Sequence, residues 1–276
     1  MKNKIINLLI VLLIVVGASV LLYPTVSDWW NRQVQTHAII DYESAIANND
    51  EETNRQLWAE AEAYNAALYK QPSSMGAADS GPDGYEDILS ITSGNIMGYL
   101  VVNAIDVKLP IYHGTSKDVL AKGVGHLQGS SLPVGGINTH AVLSAHTGLP
   151  SSKLFSDLNE LKEGDRFELH VLDKVLTYEV NQIKVVLPNE TNDLRIEPGK
   201  DYCTLFTCTP YGINSHRLLV RGERVAVTQE TLFPYSQATR IDPLLLWPIA
   251  AGLLAAVVVG GWWWRCLLYT SPSPRD

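Results

Sequence analysis

Two stretches of the chain hold residues whose types and spacing can do chemistry. In DYCTLFTCTPYGINSHRLLVRG, Asp201 to Gly222, an apolar, β-prone run from Tyr202 to Phe206 ends on Thr207 and Cys208. A turn-rich segment with Pro210, Gly212 and Asn214 follows, and a second β-prone run, Leu218 to Val220, returns. This is a hairpin with a thiol at one strand end and Arg217 at the start of the other. With a free pKa of about 8.5, a thiol is only about 3% thiolate at pH 7, so a working cysteine needs a cation or a base beside it. Arg217 is a fixed cation. Of the seven histidines, His37, His113, His126, His140, His146, His170 and His216, one mirrors the setting of Cys208. His146 closes the apolar run Ala141 to Ala145 and precedes Thr147-Gly148-Leu149-Pro150, so it too stands where a strand runs out into a loop. Strand ends at one rim of a sheet can converge on an open pocket. His146, Cys208 and Arg217 are thus candidate base, nucleophile and oxyanion-stabilising cation.

Spacing leaves the partner of Cys208 open. A hairpin that closes without a bulge puts His216, rather than Arg217, on the side of Cys208. Arg221 shares the face of Arg217 but lies ~13 Å further along the strand. His140 shares the strand face of His146 at ~20 Å and reads as structural. Cys203, inside the apolar run, reads as a small core residue. It lies five positions from Cys208, an odd offset that puts the two thiols on opposite faces and argues against a disulfide. The sequence holds no zinc-ligand spacing, phosphate loop or cofactor motif, so neither metal nor cofactor is expected.

The segments GSSLPVGGINTHAVLSAHTGLPSSKLFSDL, Gly129 to Leu158, and TLFTCTPYGINSHRLLVRG, Thr204 to Gly222, resemble sortases, the cysteine transpeptidases of Gram-positive cell surfaces. The Thr-Leu-x-Thr-Cys run with an arginine nine residues on is the family signature, and the Thr-Pro-Tyr-Gly-x-Asn-x-His-Arg continuation resembles class C, the pilin-polymerising type. The likeness extends over roughly residues 94–227 and favours Arg217 over its competitors. Many class C sortases carry a lid with an Asp-Pro-aromatic motif. This sequence lacks the tripeptide; Asp83 with Tyr85 could imitate it, but a shortened, altered or mobile loop is the preferred reading. Leu132-Pro133-Val134-Gly135-Gly136 is read as a turn, not a sorting signal.

The elements that must position these residues are short and β-rich. Runs at Met97–Val102, Val107–Tyr112, His140–Ala145, Phe167–Leu172, Leu176–Leu187, Tyr202–Cys208 and Arg217–Val227 are separated by turn signals, with short helices expected at Ser116–Ala121 and Lys153–Leu161. The expected fold is mainly β: a closed or nearly closed barrel, eight-stranded as the resemblance implies, with an N-terminal helical region and two transmembrane helices. A net charge of −8 and a pI near 5.4 argue against a nucleic-acid partner.

Along the chain, residues 1–23 form an N-terminal anchor: Lys2 and Lys4 precede 18 uncharged residues, Ile5 to Leu22, which span ~27 Å as a helix. A cleaved signal peptide is the competing reading, disfavoured by the length of the run and by a Tyr23-Pro24 exit without a small-x-small site. Residues 24–70 are a helical region, Gln33–Asn48 and Glu51–Tyr69, broken and capped at Asn49-Asp50. Residues 71–93 form a loop, 94–239 the catalytic barrel, and 244–265 a second span, whose uncharged part Leu244–Trp264 is 21 residues long. Residues 266–276, CLLYTSPSPRD, resemble a translated sequencing adapter and are set aside, Cys266 with them.

The resemblance implies an acyl transfer. Cys208 attacks the Thr–Gly carbonyl of a Leu-Pro-x-Thr-Gly-like signal on a pilin or surface protein, Arg217 stabilises the oxyanion, and His146 protonates the leaving amine. A pilin lysine amine then resolves the thioester as an isopeptide bond. Membrane lipid is the other expected partner, with the catalytic domain extracellular and both termini cytoplasmic. Two alternatives stand: a sortase that anchors proteins to peptidoglycan, and a non-catalytic membrane-tethered scaffold.

Overall fold

The computed structural model describes residues 2–71, 82–92, 94–226 and 252. The chain divides into two compact units, residues 1–26 with 233–276, and residues 27–232. Helix α1, Lys2–Asn48, begins in the first unit and runs on into the second, with Pro24 in its interior. Its N-terminal part is fully exposed and apolar, with a mean hydropathy of 3.0 over the best 18-residue window, long and apolar enough to cross a membrane. Apart from residue 252, the expected second span lies outside the described residues, as does the adapter-like tail.

The second unit is a closed barrel of eight strands: β1 Ile96–Val102, β2 Val107–His113, β3 Val124–His126, β4 Thr139–Ser144, β5 Arg166–Val171, β6 Lys174–Val186, β7 Asp201–Thr209 and β8 His216–Arg224. Around the barrel the order is β1-β2-β3-β4-β7-β8-β6-β5. All neighbours are antiparallel except β2–β3 and β4–β7, which run parallel. The parallel β4–β7 pairing needs a long crossover, and β5 and β6 fill it. Strand β3 escapes the sequence reading because three residues are too few to show a two-residue period.

Alternation assigns the two faces. On β7, Cys203 and Leu205 join the main core with Ala141, Leu143, Leu218 and Val220. Residues of the other parity, Val142, Leu219 and Phe206, pack with Val186, Leu194 and Leu127 in a separate cluster on the outer face. Strand β4 is buried along its whole length because both of its faces are covered.

Two helices close over the barrel. Helix α2, Glu51–Lys70, starts at Asp50, whose side chain accepts from the Thr53 amide at 2.6 Å. Glu51 and Glu52 in the first turn and Lys70 in the last suit the helix dipole. Trp58, Ala61, Tyr64 and Leu68 recur at helical spacing and enter the barrel core. Asn65 grips the barrel through both amide atoms, donating to the Leu132 carbonyl at 3.1 Å and accepting from the Leu132 amide at 2.7 Å. From α1, the fully buried Tyr42 donates to the Met97 carbonyl and accepts from the Leu172 amide. The expected helix at Ser116–Ala121 is α3, Lys117–Lys122, capped by Ser116. The one expected at Lys153–Leu161 is instead a string of turns ending in a 3-10 turn, Leu158–Glu160. Leu132 to Gly136 is a turn, as the sequence indicated.

Candidate active site

Register decides which cation meets the thiol. In the β7–β8 ladder Cys208 is the direct partner of Arg217 and Thr209 of His216, so Arg217 shares the face of Cys208 and His216 does not. Arg221 pairs with Thr204 four residues along; its guanidinium lies 4.2 Å from the centre of the Tyr202 ring and donates to Asn181. Arg217 donates through Nη1 to the carbonyls of Asn214 and His216, each at 3.0 Å, which ties it to the hairpin loop. It forms no ion pair among the described residues, so its charge is not already spent on a carboxylate. Cys208 is half-buried and Cys203 fully buried, on opposite faces as the odd spacing requires. Burial pushes the Cys203 thiol well above its ordinary pKa, with the Asp201 carboxylate adding to the effect, so it stays protonated and unreactive.

His146 arrives from the neighbouring parallel strand. The last β4–β7 pair is Ser144 with Phe206, and His146 and Cys208 each lie two residues beyond it. The two chains stay joined past the ladder: the Ala145 amide donates to the Phe206 carbonyl at 3.2 Å, and Thr207 Oγ1 donates to the Ala145 carbonyl at 2.7 Å. By parity His146 falls on the outer face with His140 and Val142, the face of Cys208 and Arg217. Strand β4 therefore runs out into His146 at the same rim where Cys208 lies near the end of β7 and Arg217 near the start of β8. The imidazole of His146 has no hydrogen-bond partner among the described residues, which leaves both ring nitrogens available.

Thr207, part of the signature, works as a clasp between β7 and the His146 segment, a role its sequence position did not reveal. An open cavity of about 440 Å³ adjoins Cys208, with Thr147, Phe155, Asp157, Glu160, Thr207 and Tyr211 among its lining residues. Tyr211 packs on Gly148, whose positive φ of 76° and absent side chain let the ring approach; a Cβ there would meet the ring at 2.9 Å.

The other singled-out residues lie elsewhere. His140 is buried, with Nδ1 donating to the Arg195 carbonyl at 2.9 Å and Nε2 accepting from Thr204 Oγ1 at 2.7 Å. Burial pushes its pKa down to about 4, and nearby Arg221 adds to the shift. It holds the β6–β7 connection, as the structural reading expected. Tyr85, considered for a lid, is a buried anchor. Its hydroxyl donates to His126 Nδ1 at 2.9 Å and accepts from the Gly114 amide at 2.9 Å, and no residue of 82–92 lines the cavity beside Cys208. The remainder of that loop, residues 72–81 and 93, lies outside the described residues.

A closed eight-stranded barrel with a cysteine and an arginine paired at one rim marks a class of cysteine acyl-transfer enzyme. The model of the Sortase domain matches residues 100–225. Among solved structures, sortase C of Streptococcus pneumoniae is 46% identical with a TM-score of 0.64, the match covering 70% of this chain and 98% of that one. Sortase C of Clostridium perfringens, solved with a C-terminal cell wall sorting motif, is 51% identical with a TM-score of 0.62, covering 70% and 100%. Sortase D of Bacillus subtilis is 33% identical over 136 residues, 48% of this chain and 66% of that relative. The chain belongs to the sortase family of cysteine transpeptidases, and its likeness to the sortase C structures places it in class C.

Proposed function

We propose that the chain cleaves a Leu-Pro-x-Thr-Gly-like sorting signal between Thr and Gly and joins the freed carbonyl to a lysine amine of a pilin subunit. The observation that carries this reading is the direct pairing of Cys208 with Arg217 on the face where β4 delivers His146. The Cys208 thiolate adds to the threonine carbonyl. The negative charge that develops on oxygen is met by the guanidinium of Arg217, a donor held by the carbonyls of Asn214 and His216 before reaction. His146, as imidazolium, donates its proton to the departing glycine amine, leaving a thioester on Cys208. An incoming lysine amine gives its proton to His146 as it attacks, the C–S bond breaks, and the Cys208 thiolate is regenerated with an isopeptide bond as product.

The relatives support the choice of substrate: the pneumococcal sortase C is described in terms of pilin substrate specificity, and the clostridial one was solved with a sorting motif. The apolar N-terminal part of α1 suits a membrane anchor that holds the barrel on the outer cell surface, and the uncharged stretch Leu244–Trp264 suits a second span, with both termini cytoplasmic.

The test is intact mass spectrometry of the full chain in detergent, mixed with a pilin bearing the signal, beside Cys208→Ala. A thioester adduct and lysine-linked multimers, both lost in the variant, are the expected result. An adduct resolved only by cross-bridge peptides would replace pilin polymerisation with wall anchoring. Absence of any adduct on a folded wild-type chain would overturn the reading in favour of a scaffold.

A further inference from the structure

One face of α1, just beyond the apolar part, is fastened to the segment that follows His146. Asp28, Asn31 and Gln35 recur at helical spacing. Asp28 Oδ1 accepts from the Lys153 amide at 2.7 Å, and Asn31 Nδ2 donates to the Ser151 carbonyl at 2.7 Å. Gln35 Nε2 donates to the Lys122 carbonyl at 3.0 Å and lies 3.5 Å from Ser152 Oγ, with Gln35 5% and Ser152 3% exposed. Arg32, four residues past Asp28, donates to its other oxygen at 3.0 Å and so fixes the carboxylate that caps Lys153. A cavity of about 320 Å³ lies beside these contacts, between α1 and the β1–β2 connection. Asn31 lies 120 positions in sequence from Ser151 and Asp28 lies 125 from Lys153, yet they replace hydrogen bonds that water would otherwise make to an irregular backbone.

The fastened segment leads directly back to His146. The Phe155 amide donates to the His146 carbonyl at 3.1 Å, and the Gly148 amide donates to Ser156 Oγ at 3.1 Å. Phe155 and Leu154 are buried in the main core, so residues 154 and 155 cannot shift without moving packed side chains. The His146 ring, having no partner of its own among the described residues, takes its place from its backbone alone. β4 fixes that backbone on one side, and residues 147–156 fix it on the other.

We infer that Asp28 and Asn31 on α1 are positioning residues for His146, so that the helix carrying the membrane anchor is a structural part of the active site. This rests on the proposed role of His146 as proton donor and acceptor for Cys208. A proton-transfer group must stand within hydrogen-bond reach of the reacting atom, and a displacement of about 1 Å can cost on the order of 10²-fold in rate. Loss of the α1 contacts would free residues 151–153 and let the His146 backbone drift by such an amount. A merely structural helix would instead lower stability and leave the chemistry of the folded fraction unchanged.

The experiment uses the full chain in detergent, as wild type, Asp28→Ala, Asn31→Ala, Asp28→Asn and Tyr42→Phe. Asp28→Asn keeps an oxygen to accept from Lys153. Tyr42→Phe weakens the docking of the same helix at β1 and at the turn after β5, away from His146. Two rates are followed against pH: thioester formation with a Leu-Pro-x-Thr-Gly peptide, and alkylation of Cys208 by iodoacetamide, mapped peptide by peptide to separate it from Cys203 and Cys266. Each alanine variant is expected to acylate about tenfold more slowly with an altered pH profile in both reactions, while Asp28→Asn returns to within about twofold of wild type. Tyr42→Phe is expected to lower the melting temperature with both profiles unchanged.

Alanine variants with wild-type profiles, or a Tyr42→Phe profile that changes equally, would overturn the inference. If wild type alkylates at Cys208 but forms no thioester, the proposed reaction fails, and the alkylation profiles alone still decide the positioning role.

Discussion

Cys208 and Arg217 are direct partners across the β7–β8 ladder, although Arg217 lies nine positions further along the sequence. The pairing fixes a cation beside the thiol, and no salt bridge among the described residues neutralises it. Arg217→Ala is therefore expected to lower the rate of thioester formation by about 10²–10³-fold, the usual loss for one oxyanion donor, with little change in melting temperature. Arg217→Lys is expected to recover only part of that rate, because an ammonium lacks the planar fork of donors. Single-turnover acylation measured by mass spectrometry checks both; an alanine variant within threefold of wild type would remove Arg217 from the chemistry.

His216 is the adjacent histidine that register turns to the other side. His216→Ala is expected to leave acylation within about twofold of wild type, whereas His146→Ala is expected to lose ~10²–10⁴-fold, the range for a general acid–base group. The same peptide assay compares the two, and a larger loss at His216 would contradict the register argument.

Two buried histidines make the barrel sensitive to acid. Burial pushes both His126 and His140 down to about 4, against about 6.5 in an unfolded chain. Between these values the unfolded chain binds a proton that the folded one refuses, so stability is full above pH 6.5 and falls as the pH drops towards 4. Each site contributes on the order of 2–4 kcal/mol to that loss. Thermal melts from pH 7.5 to 4 are expected to show the decline, and His140→Gln is expected to flatten it. A melting temperature independent of pH over that range would rule the linkage out.

Tyr85 joins the 82–92 segment to the barrel through His126 and Gly114. Tyr85→Phe strands His126 Nδ1 and the Gly114 amide and is expected to cost about 1–3 kcal/mol of stability by denaturant unfolding. The acylation rate of the folded enzyme is expected to stay unchanged, since Tyr85 is not among the residues lining the Cys208 cavity. A faster rate in this variant would mean that the segment restrains the site.

Gly98 sits where β1 bulges against β2, and a Cβ there would lie 2.4 Å from the His170 carbonyl oxygen on β5. Backbone cannot yield as a flexible side chain does, so Gly98→Ala is expected to destabilise by about 1–3 kcal/mol or more. Urea unfolding of wild type and variant measures the difference.

The local sequence determined the elements and the chemical groups. The β-prone runs and turn signals of seven strands, the capped break at Asn49-Asp50, the odd spacing of Cys203 and Cys208, and the signature around Cys208 are all properties of neighbours along the chain. Local chemistry is enough to set them. Strand β3 was too short to carry a period, and the turns at Lys153–Leu161 look like a helix until the core claims Leu154, Phe155 and Leu158. What tertiary structure alone decided is register and long-range attachment. Whether Arg217 or His216 faces Cys208 depends on a shift of one residue in β8, and a shift of one reverses every side chain while leaving the sequence pattern intact. The parallel β4–β7 pairing brings His146 abreast of Cys208 across sixty-two positions, and hydrogen bonds from Asp28 and Asn31 hold the segment behind it. Those contacts join residues remote in sequence through backbone groups that every residue type shares, so no pattern of side chains could announce them.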